Sequence, residues 1–319
     1  MNVRRLIPGT AVAAATALGL SVLTACSGES AAAGDSDQFD VVASFYPMAF
    51  LAEQIGGDHV KVSSLTQPGQ EPHDLEISAQ QRVQVEKADA VLYLKNLQPS
   101  VDDTVAQSGV KTKIDAATLT SLEEHGTEVG GHADEHEEEH GHEEEGGKDP
   151  HIWLDPVKYA EVAKGVGAAF EKADPDHAAD YKKNTAALVA KLDALNTQFE
   201  TGLANTRTKV FITTHAAFGY LAERYGLTEE AISGLDPESE PSAARVKDLE
   251  KMAKADGVTT VFYETLVSDK TAKTIAKDAG LRTDVLDPIE GITDKSRGTD
   301  YFAVQEANLK ALQTALGTK

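Results

Sequence analysis

Short apolar runs alternate with amphipathic segments along most of this 319-residue chain. Apolar or alternating runs of about four to eight residues are typical of strands, whereas apolar residues three and four positions apart are typical of helices. We predict strands at 40–45, 60–66, 88–95, 110–116, 209–214, 231–233, 258–264 and 281–286. We predict helices at 48–55, 78–86, 156–172, 216–225, 242–256, 269–279 and 300–316.

The segment 176–203 is much longer than its neighbours and contains no proline. Its apolar residues recur at the spacing of one helical face, as Val189, Leu192, Leu195 and Phe199. A single long helix is therefore predicted there.

Alternating strands and helices imply parallel sheets that are covered by helices. The predicted fold class is therefore α/β, with two parallel-sheet lobes joined by one long helix. We expect the N-terminal lobe at 40–173, the linking helix within 174–205 and the C-terminal lobe at 206–319.

The N-terminus has the features of an export signal. Two arginines precede a short apolar stretch, which ends in small residues and then Cys26, the one cysteine of the chain. The sequence Leu-Thr-Ala-Cys is similar to the lipobox of bacterial lipoproteins, in which the cysteine is lipidated. We predict a signal peptide at 1–25, lipidation of Cys26, and a small, polar, flexible tether at 26–39.

Acidic residues are concentrated in one segment of a chain whose formal net charge is −22. Residues 123–149 contain twelve acidic residues and one basic residue. We predict a disordered loop there, whose histidines bind zinc weakly among the carboxylates: His125, His132, His136, His140 and His142. Nucleic acid is excluded as a partner because its phosphates would be repelled.

Four candidate metal ligands follow apolar runs: His73, His151, His215 and Asp287. Binding sites of parallel sheets form at the carboxyl ends of the strands, and each predicted lobe provides two of these residues. Three imidazoles and one carboxylate complete a four-coordinate zinc site. We therefore predict a metal site in the cleft between the lobes.

Several motifs together resemble the metal-binding receptors of bacterial ABC transporters, the cluster A-I family, which imports zinc or manganese. The similarity covers about residues 40–319. The motifs are Ser44-Phe45-Tyr46-Pro47, Glu71-Pro72-His73, DPHIWLDP at 149–156, THAAFGY at 214–220, and Leu286-Asp287-Pro288.

The resemblance implies two Rossmann-like lobes bridged by a long rigid helix, with ligands at His73, His151, His215 and Asp287. It also implies Zn²⁺ as the transported ligand, because zinc-type members have a histidine at the third position and manganese-type members a glutamate. The expected partners are an ABC permease with its ATPase, and membrane lipid through Cys26. The expected place is the outer face of the cytoplasmic membrane, as a monomer.

Some alternatives remain open from the sequence. Glu264 is either a rival fourth ligand or a neighbour of the ligands. Glu71 is either such a neighbour or a solvated residue. Tyr46 either lines the cleft or is a packing residue. A receptor for manganese or another divalent metal is the alternative within the family. An exported zinc hydrolase is disfavoured because no HExxH or nucleophile motif occurs, and an extracellular metal buffer or adhesin does not explain a two-lobed cleft. We predict that the protein is not an enzyme.

Overall fold

The computed structural model of the chain describes residues 38–125 and 148–318. The predicted signal peptide, Cys26 and almost all of the predicted tether lie outside these residues. The loop histidines His132, His136, His140 and His142 also lie outside them, whereas His125 lies inside.

The N-terminal lobe is a parallel sheet with helices on both faces. In chain order it contains β1 (Phe39–Ala43), α1 (Tyr46–Gly56), β2 (Val60–Ser64), α2 (Ala79–Lys87), β3 (Ala90–Tyr93), α3 (Pro99–Gln107), β4 (Thr112–Asp115) and α4 (Pro156–Ala173). The strand order is β2-β1-β3-β4, and every neighbouring pair is parallel. The carboxyl ends of all four strands therefore lie at one edge of the sheet.

The long helix α5 (Ala178–Leu203) has 26 residues, which corresponds to a length of about 39 Å. It packs closely on α4, where Gly167 faces Thr185. A Cβ atom at Gly167 would meet the Oγ1 of Thr185 at 2.2 Å, so a larger residue there would force the two helices apart.

The C-terminal lobe repeats the same topology. It contains β5 (Val210–Thr213), α6 (Gly219–Tyr225), β6 (Thr228–Ala231), α7 (Ala243–Ala255), β7 (Thr260–Tyr263), α8 (Lys270–Ala279), β8 (Arg282–Val285) and α9 (Tyr301–Leu316). The strand order is β6-β5-β7-β8, again with parallel pairs.

One large hydrophobic core runs through both lobes and α5. It contains Phe45 and Trp153 from the first lobe, Phe199 from α5, and Phe218 and Tyr301 from the second lobe. Each lobe also has one smaller cluster on the outer face of its sheet. It lies beneath α2 and α3 in the N-terminal lobe and beneath α7 and α8 in the C-terminal lobe. Burial on both faces explains why the central strands of the two sheets, β1 and β3 in one and β5 and β7 in the other, are the more apolar ones.

The predicted fold class is confirmed, because two parallel-sheet α/β lobes are linked by one long helix. Three elements differ most from the prediction. The helix α3 was not predicted, β6 begins three residues before the predicted strand at 231–233, and α6 begins three residues after the start of the predicted helix at 216–225. Among residues 38–125 and 148–318, no helix is both long and apolar enough to cross a membrane.

Candidate metal centre

His73 lies in the irregular segment between β2 and α2. The carboxylate of Glu71 accepts hydrogen bonds from the backbone N–H groups of His73, at 3.0 Å, and of Asp74, at 3.1 Å. Glu71 therefore closes the turn that carries His73. The imidazole retains 12% of its side-chain exposure.

His151 is fully buried just before a short 3₁₀ helix, Ile152–Leu154. Asp149 accepts hydrogen bonds through Oδ1 from the backbone N–H of His151, at 2.9 Å, and from its Nδ1, at 2.8 Å. The bond to Nδ1 fixes the ring orientation and directs Nε2 into the cleft. This is the arrangement in which a carboxylate orients a metal-binding histidine.

His215 follows β5, and Glu264 follows the neighbouring strand β7. The Oε1 of Glu264 accepts hydrogen bonds from Nδ1 of His215, at 2.8 Å, and from the hydroxyl of Thr214, at 2.9 Å. Glu264 thus orients His215 as Asp149 orients His151. Of the two interpretations left open by the sequence, the geometry agrees with Glu264 as a neighbour of the ligands.

Glu290 occupies the position expected for the fourth ligand. Its Oε1 lies 3.4 Å from Nε2 of His73, 3.5 Å from Nε2 of His151 and 3.6 Å from Nε2 of His215. One ligand atom from each of the four residues lies within 4.8 Å of all the others. Four ligand atoms bound tetrahedrally at about 2.0–2.1 Å would be about 3.4 Å apart, so the spacing around Glu290 fits a zinc ion.

Asp287, the sequence-predicted fourth ligand, is not part of this group. Its Oδ1 accepts a hydrogen bond from the backbone N–H of Ile289, at 2.8 Å, and its Oδ2 accepts one from the hydroxyl of Thr265, at 3.0 Å. Both carboxylate oxygens therefore have other partners. The carboxylate that lies with the three histidines is that of Glu290, three residues further along the chain.

The turn that leads to Glu290 is strained. Ile289 has a φ of 60°, and a left-handed conformation is rare for a β-branched residue and costs about 1–3 kcal/mol. The hydrogen bond that the backbone N–H of Ile289 donates to Asp287 holds this conformation. The indole N–H of Trp153 adds a hydrogen bond to the carbonyl oxygen of Pro288, at 2.6 Å, from the opposite lobe. Together these contacts aim the Glu290 side chain at the three imidazoles.

Unpaired polar atoms converge at the centre of this group. Among the described residues, Nε2 of His151, Nε2 of His215 and Oε2 of Glu290 are buried without a hydrogen-bond partner. Buried polar atoms are rarely left unpaired. An ion bound between them satisfies the two nitrogens, and these donor atoms are those that zinc prefers.

The group is electrostatically coupled. Burial alone would lower the pKa of His215, but the carboxylates of Glu264 and Glu290 outweigh it and raise that pKa well above its usual value. Burial likewise lowers the pKa of His151, but Asp149 and Glu290 raise it overall. Burial would raise the pKa of Glu290, yet the three imidazoles hold it well below its usual value. In the metal-free protein these pKa shifts favour protonated imidazoles beside an ionised Glu290, and a bound cation would replace those protons.

The other sequence-predicted residues lie nearby with different contacts. Tyr46 is outside the four-residue group, and its ring lies beside that of Phe50, with centroids 6.2 Å apart. His125 lies at the start of the acidic segment and forms a separate group with Glu123 and Glu223.

Comparison with known proteins supplies the family. The sequence profile of the family described as ZnuA, the periplasmic component A of the zinc-uptake complex, matches residues 41–315. The chain belongs to the ZnuA family.

Two relatives of this ZnuA-family chain are named for zinc. The zinc-binding lipoprotein AdcA of Streptococcus pneumoniae is 38% identical over 297 residues, covering 91% of this chain and 58% of its own length. The chain thus spans little more than half of that relative. The high-affinity zinc uptake system protein ZnuA of Bacillus subtilis is 35% identical over 319 residues, covering 94% of this chain and 98% of its own.

A solved structure shares the ZnuA-family fold. The Zn(II)-bound ZnuA-like domain of Streptococcus pneumoniae AdcA superposes with a TM-score of 0.71 at 34% identity, covering 88% of this chain and 99% of that one. The likeness extends over both lobes and the linking helix.

Proposed function

We propose that this protein is an extracytoplasmic zinc receptor that captures Zn²⁺ in the cleft and delivers it to an ABC permease for import. The observation that carries the proposal is the spacing of 3.4–3.6 Å between Oε1 of Glu290 and three imidazole nitrogens. The ligands are His73, His151, His215 and Glu290. The names of the relatives, a zinc-binding lipoprotein and a zinc uptake protein, support the same cargo.

The donor set favours zinc over manganese. Three imidazoles and one carboxylate are the ligands that zinc accepts in tetrahedral sites, whereas manganese prefers oxygen ligands and higher coordination. Glu264 does not add a second carboxylate to the four-residue group, and its Oε1 is bonded to Nδ1 of His215.

Transport of the ion fits the site better than catalysis. A catalytic zinc site keeps one position open for water, whereas structural and storage sites are closed by protein ligands. Here four protein atoms already converge, and three of the four ligand side chains have an exposure of 2% or less. We therefore propose a receptor that is not an enzyme.

The proposed partners follow from the family and from the N-terminal sequence. A periplasmic component of a zinc-uptake complex implies a permease with its ATPase. Lipidation of Cys26 would anchor the receptor, as a monomer, to the outer face of the cytoplasmic membrane. One acyl chain binds a membrane only marginally, so stable anchoring needs at least two. We also propose that the acidic loop binds further zinc ions weakly through His132, His136, His140 and His142.

Zinc titration of the intact chain and of a deletion of residues 126–147 tests the proposal. We expect one tight zinc ion in both proteins, and weaker additional binding only in the intact chain, because the cleft ligands lie outside the deleted segment. Isothermal titration calorimetry with a competing chelator separates the two phases. Loss of the tight phase in the deletion would show that the cleft is not the main site.

Zinc affinity is expected to fall as the pH is lowered from 7.5 to 5.5. The raised pKa values of His151 and His215 mean that these rings hold protons below their folded-state pKa, and zinc must displace every such proton. Each displaced proton changes the affinity by about tenfold per pH unit. Calorimetry in buffers of different ionisation enthalpy counts the released protons. An enthalpy that is independent of the buffer would contradict the prediction.

A further inference from the structure

One buried carboxylate, that of Asp149, is shared by two histidines. Its Oδ1 accepts hydrogen bonds from His151, and its Oδ2 lies 3.0 Å from Nδ1 of His125. His151 points into the cleft, whereas His125 is the last described residue before the acidic loop. Asp149 thus connects the start of that loop with a residue of the metal centre.

Close contacts with residues of α6 fix the position of the His125 ring. Its ring stands edge-on to that of Tyr220, with centroids 4.5 Å apart, and its Nε2 lies 3.1 Å from Oε2 of Glu223. A Cβ atom at Gly219 would lie 2.5 Å from Cβ of His125, so only glycine leaves room for this packing. The hydroxyl of Tyr220 also donates a hydrogen bond to the backbone carbonyl of Asp149, at 2.8 Å.

The environment of Asp149 makes this second hydrogen bond consequential. The Asp149 side chain is fully buried, and His125 is the described residue that donates to its Oδ2. A buried carboxylate oxygen without a hydrogen-bond donor is costly, so loss of His125 would favour rotation of the Asp149 carboxylate towards another donor. Such a rotation would weaken the hold on the His151 ring.

We propose that His125 is a positioning residue for His151, acting through the carboxylate of Asp149. The inference rests on the proposed function, since it assumes that His151 binds the cleft metal. It gives the first histidine of the acidic loop a role beyond the proposed weak zinc binding of that loop.

A second cation site at Glu123, His125 and Glu223 is less well supported. Both ring nitrogens of His125 already have carboxylate partners. The Oε1 of Glu123 is bound by the ammonium group of Lys158 at 2.7 Å, and this fixed positive charge opposes a cation. Positioning of His151 explains the same contacts without another ion.

Three substitutions of His125 distinguish its hydrogen bond to Asp149 from its contact with Glu223. Asparagine places an amide nitrogen close to the position of Nδ1, whereas glutamine places one close to that of Nε2. His125→Asn therefore keeps a donor for Asp149, His125→Gln keeps the atom that faces Glu223, and His125→Ala keeps neither. His177→Ala is the control, because that surface histidine is also paired with an aspartate, Asp174.

Zinc affinity of the full chain, measured by competition with a chelator, is the main observable. Loss of an outer hydrogen-bond partner typically weakens metal binding tenfold to a hundredfold. We expect that loss in His125→Ala and His125→Gln, recovery to within about threefold of the wild type in His125→Asn, and no change in His177→Ala. The melting temperature of each metal-free variant monitors folding, so that recovery by asparagine is compared between folded proteins.

Two results would overturn the inference. Unchanged cleft affinity in His125→Ala shows that Asp149 does not need this partner. Equal losses in His125→Asn and His125→Ala show that the effect does not pass through Nδ1. By contrast, if the wild-type protein binds no zinc tightly, or if His151→Ala binds it normally, it is the proposed function that fails.

Discussion

Replacing Glu290 with alanine is expected to weaken zinc binding by at least about a hundredfold. Loss of an outer hydrogen-bond partner already costs tenfold to a hundredfold in metal affinity, and Glu290 places its Oε1 3.4–3.6 Å from the three imidazole nitrogens. Its removal leaves the +2 ion with three neutral ligands in a buried site. Chelator competition at pH 7.5 measures the loss.

Two companion variants test this assignment of the carboxylate. Glu290→Gln keeps the shape and removes the charge, so its affinity should fall between those of the wild type and Glu290→Ala. Asp287→Ala should lose less than Glu290→Ala, because Asp287 supports the turn at Ile289 rather than contacting the ion. If Asp287→Ala loses more affinity than Glu290→Ala, the fourth ligand is Asp287 after all.

Trp153→Ala is expected to lower the stability of the metal-free protein by about 3–5 kcal/mol, the usual cost of removing a buried aromatic side chain. Trp153 is fully buried against Phe45, with ring centroids 5.0 Å apart. Its N–H also donates to the carbonyl oxygen of Pro288. For a chain of this size the melting temperature should fall by about 10 °C, which scanning calorimetry in the presence of a chelator measures.

Trp153→Phe and Phe199→Ala separate the contribution of core packing from that of the hydrogen bond between Trp153 and Pro288. Trp153→Phe keeps most of the ring but leaves the Pro288 carbonyl without its donor, so zinc affinity should decrease while the core is largely retained. Phe199→Ala opens the core on α5, away from the metal centre, so stability should fall with little change in zinc affinity. Equal zinc affinity in Trp153→Phe and the wild type would show that the indole hydrogen bond does not help to position Glu290.

The sequence predicted His73, His151, His215 and Asp287 as ligands, and the structure brings the three histidines together with Glu290 rather than with Asp287. The histidines could be found because each follows a strand or precedes a helix in a recognisable motif. Asp287 directly follows the last predicted strand and therefore occupies the expected position. The sequence does not reveal that Ile289 takes a left-handed conformation, which turns Glu290 inward and leaves Asp287 to bind the turn. A second carboxylate three residues after Asp287, flanked by Ile289 and Gly291, was the available signal.

The missed helix α3 and the displaced strand β6 have a common cause. The helix sequence, PSVDDTVAQ, contains two aspartates and three β-branched residues, which are weak helix formers. The strand sequence, TEEA, is polar because β6 is an edge strand that pairs only with β5. In both segments tertiary packing overrides local preference. The central strands β1, β3, β5 and β7 are largely buried, so each of them is visible in the sequence as an apolar run.

The shared core restricts how the proposed receptor can release its ion. Separation of the lobes would disrupt a continuous set of buried aromatic side chains, from Phe45 through Phe199 to Tyr301. The segment around His73 packs through Leu75 and Ile77 on the smaller cluster of the N-terminal lobe, outside the shared core, and His73 is the most exposed of the four residues. Displacement of that segment would leave the shared core intact and would therefore cost less than separation of the lobes. In the proposed receptor, release of the ion is expected to begin at the His73 segment, while the shared core keeps the two lobes together.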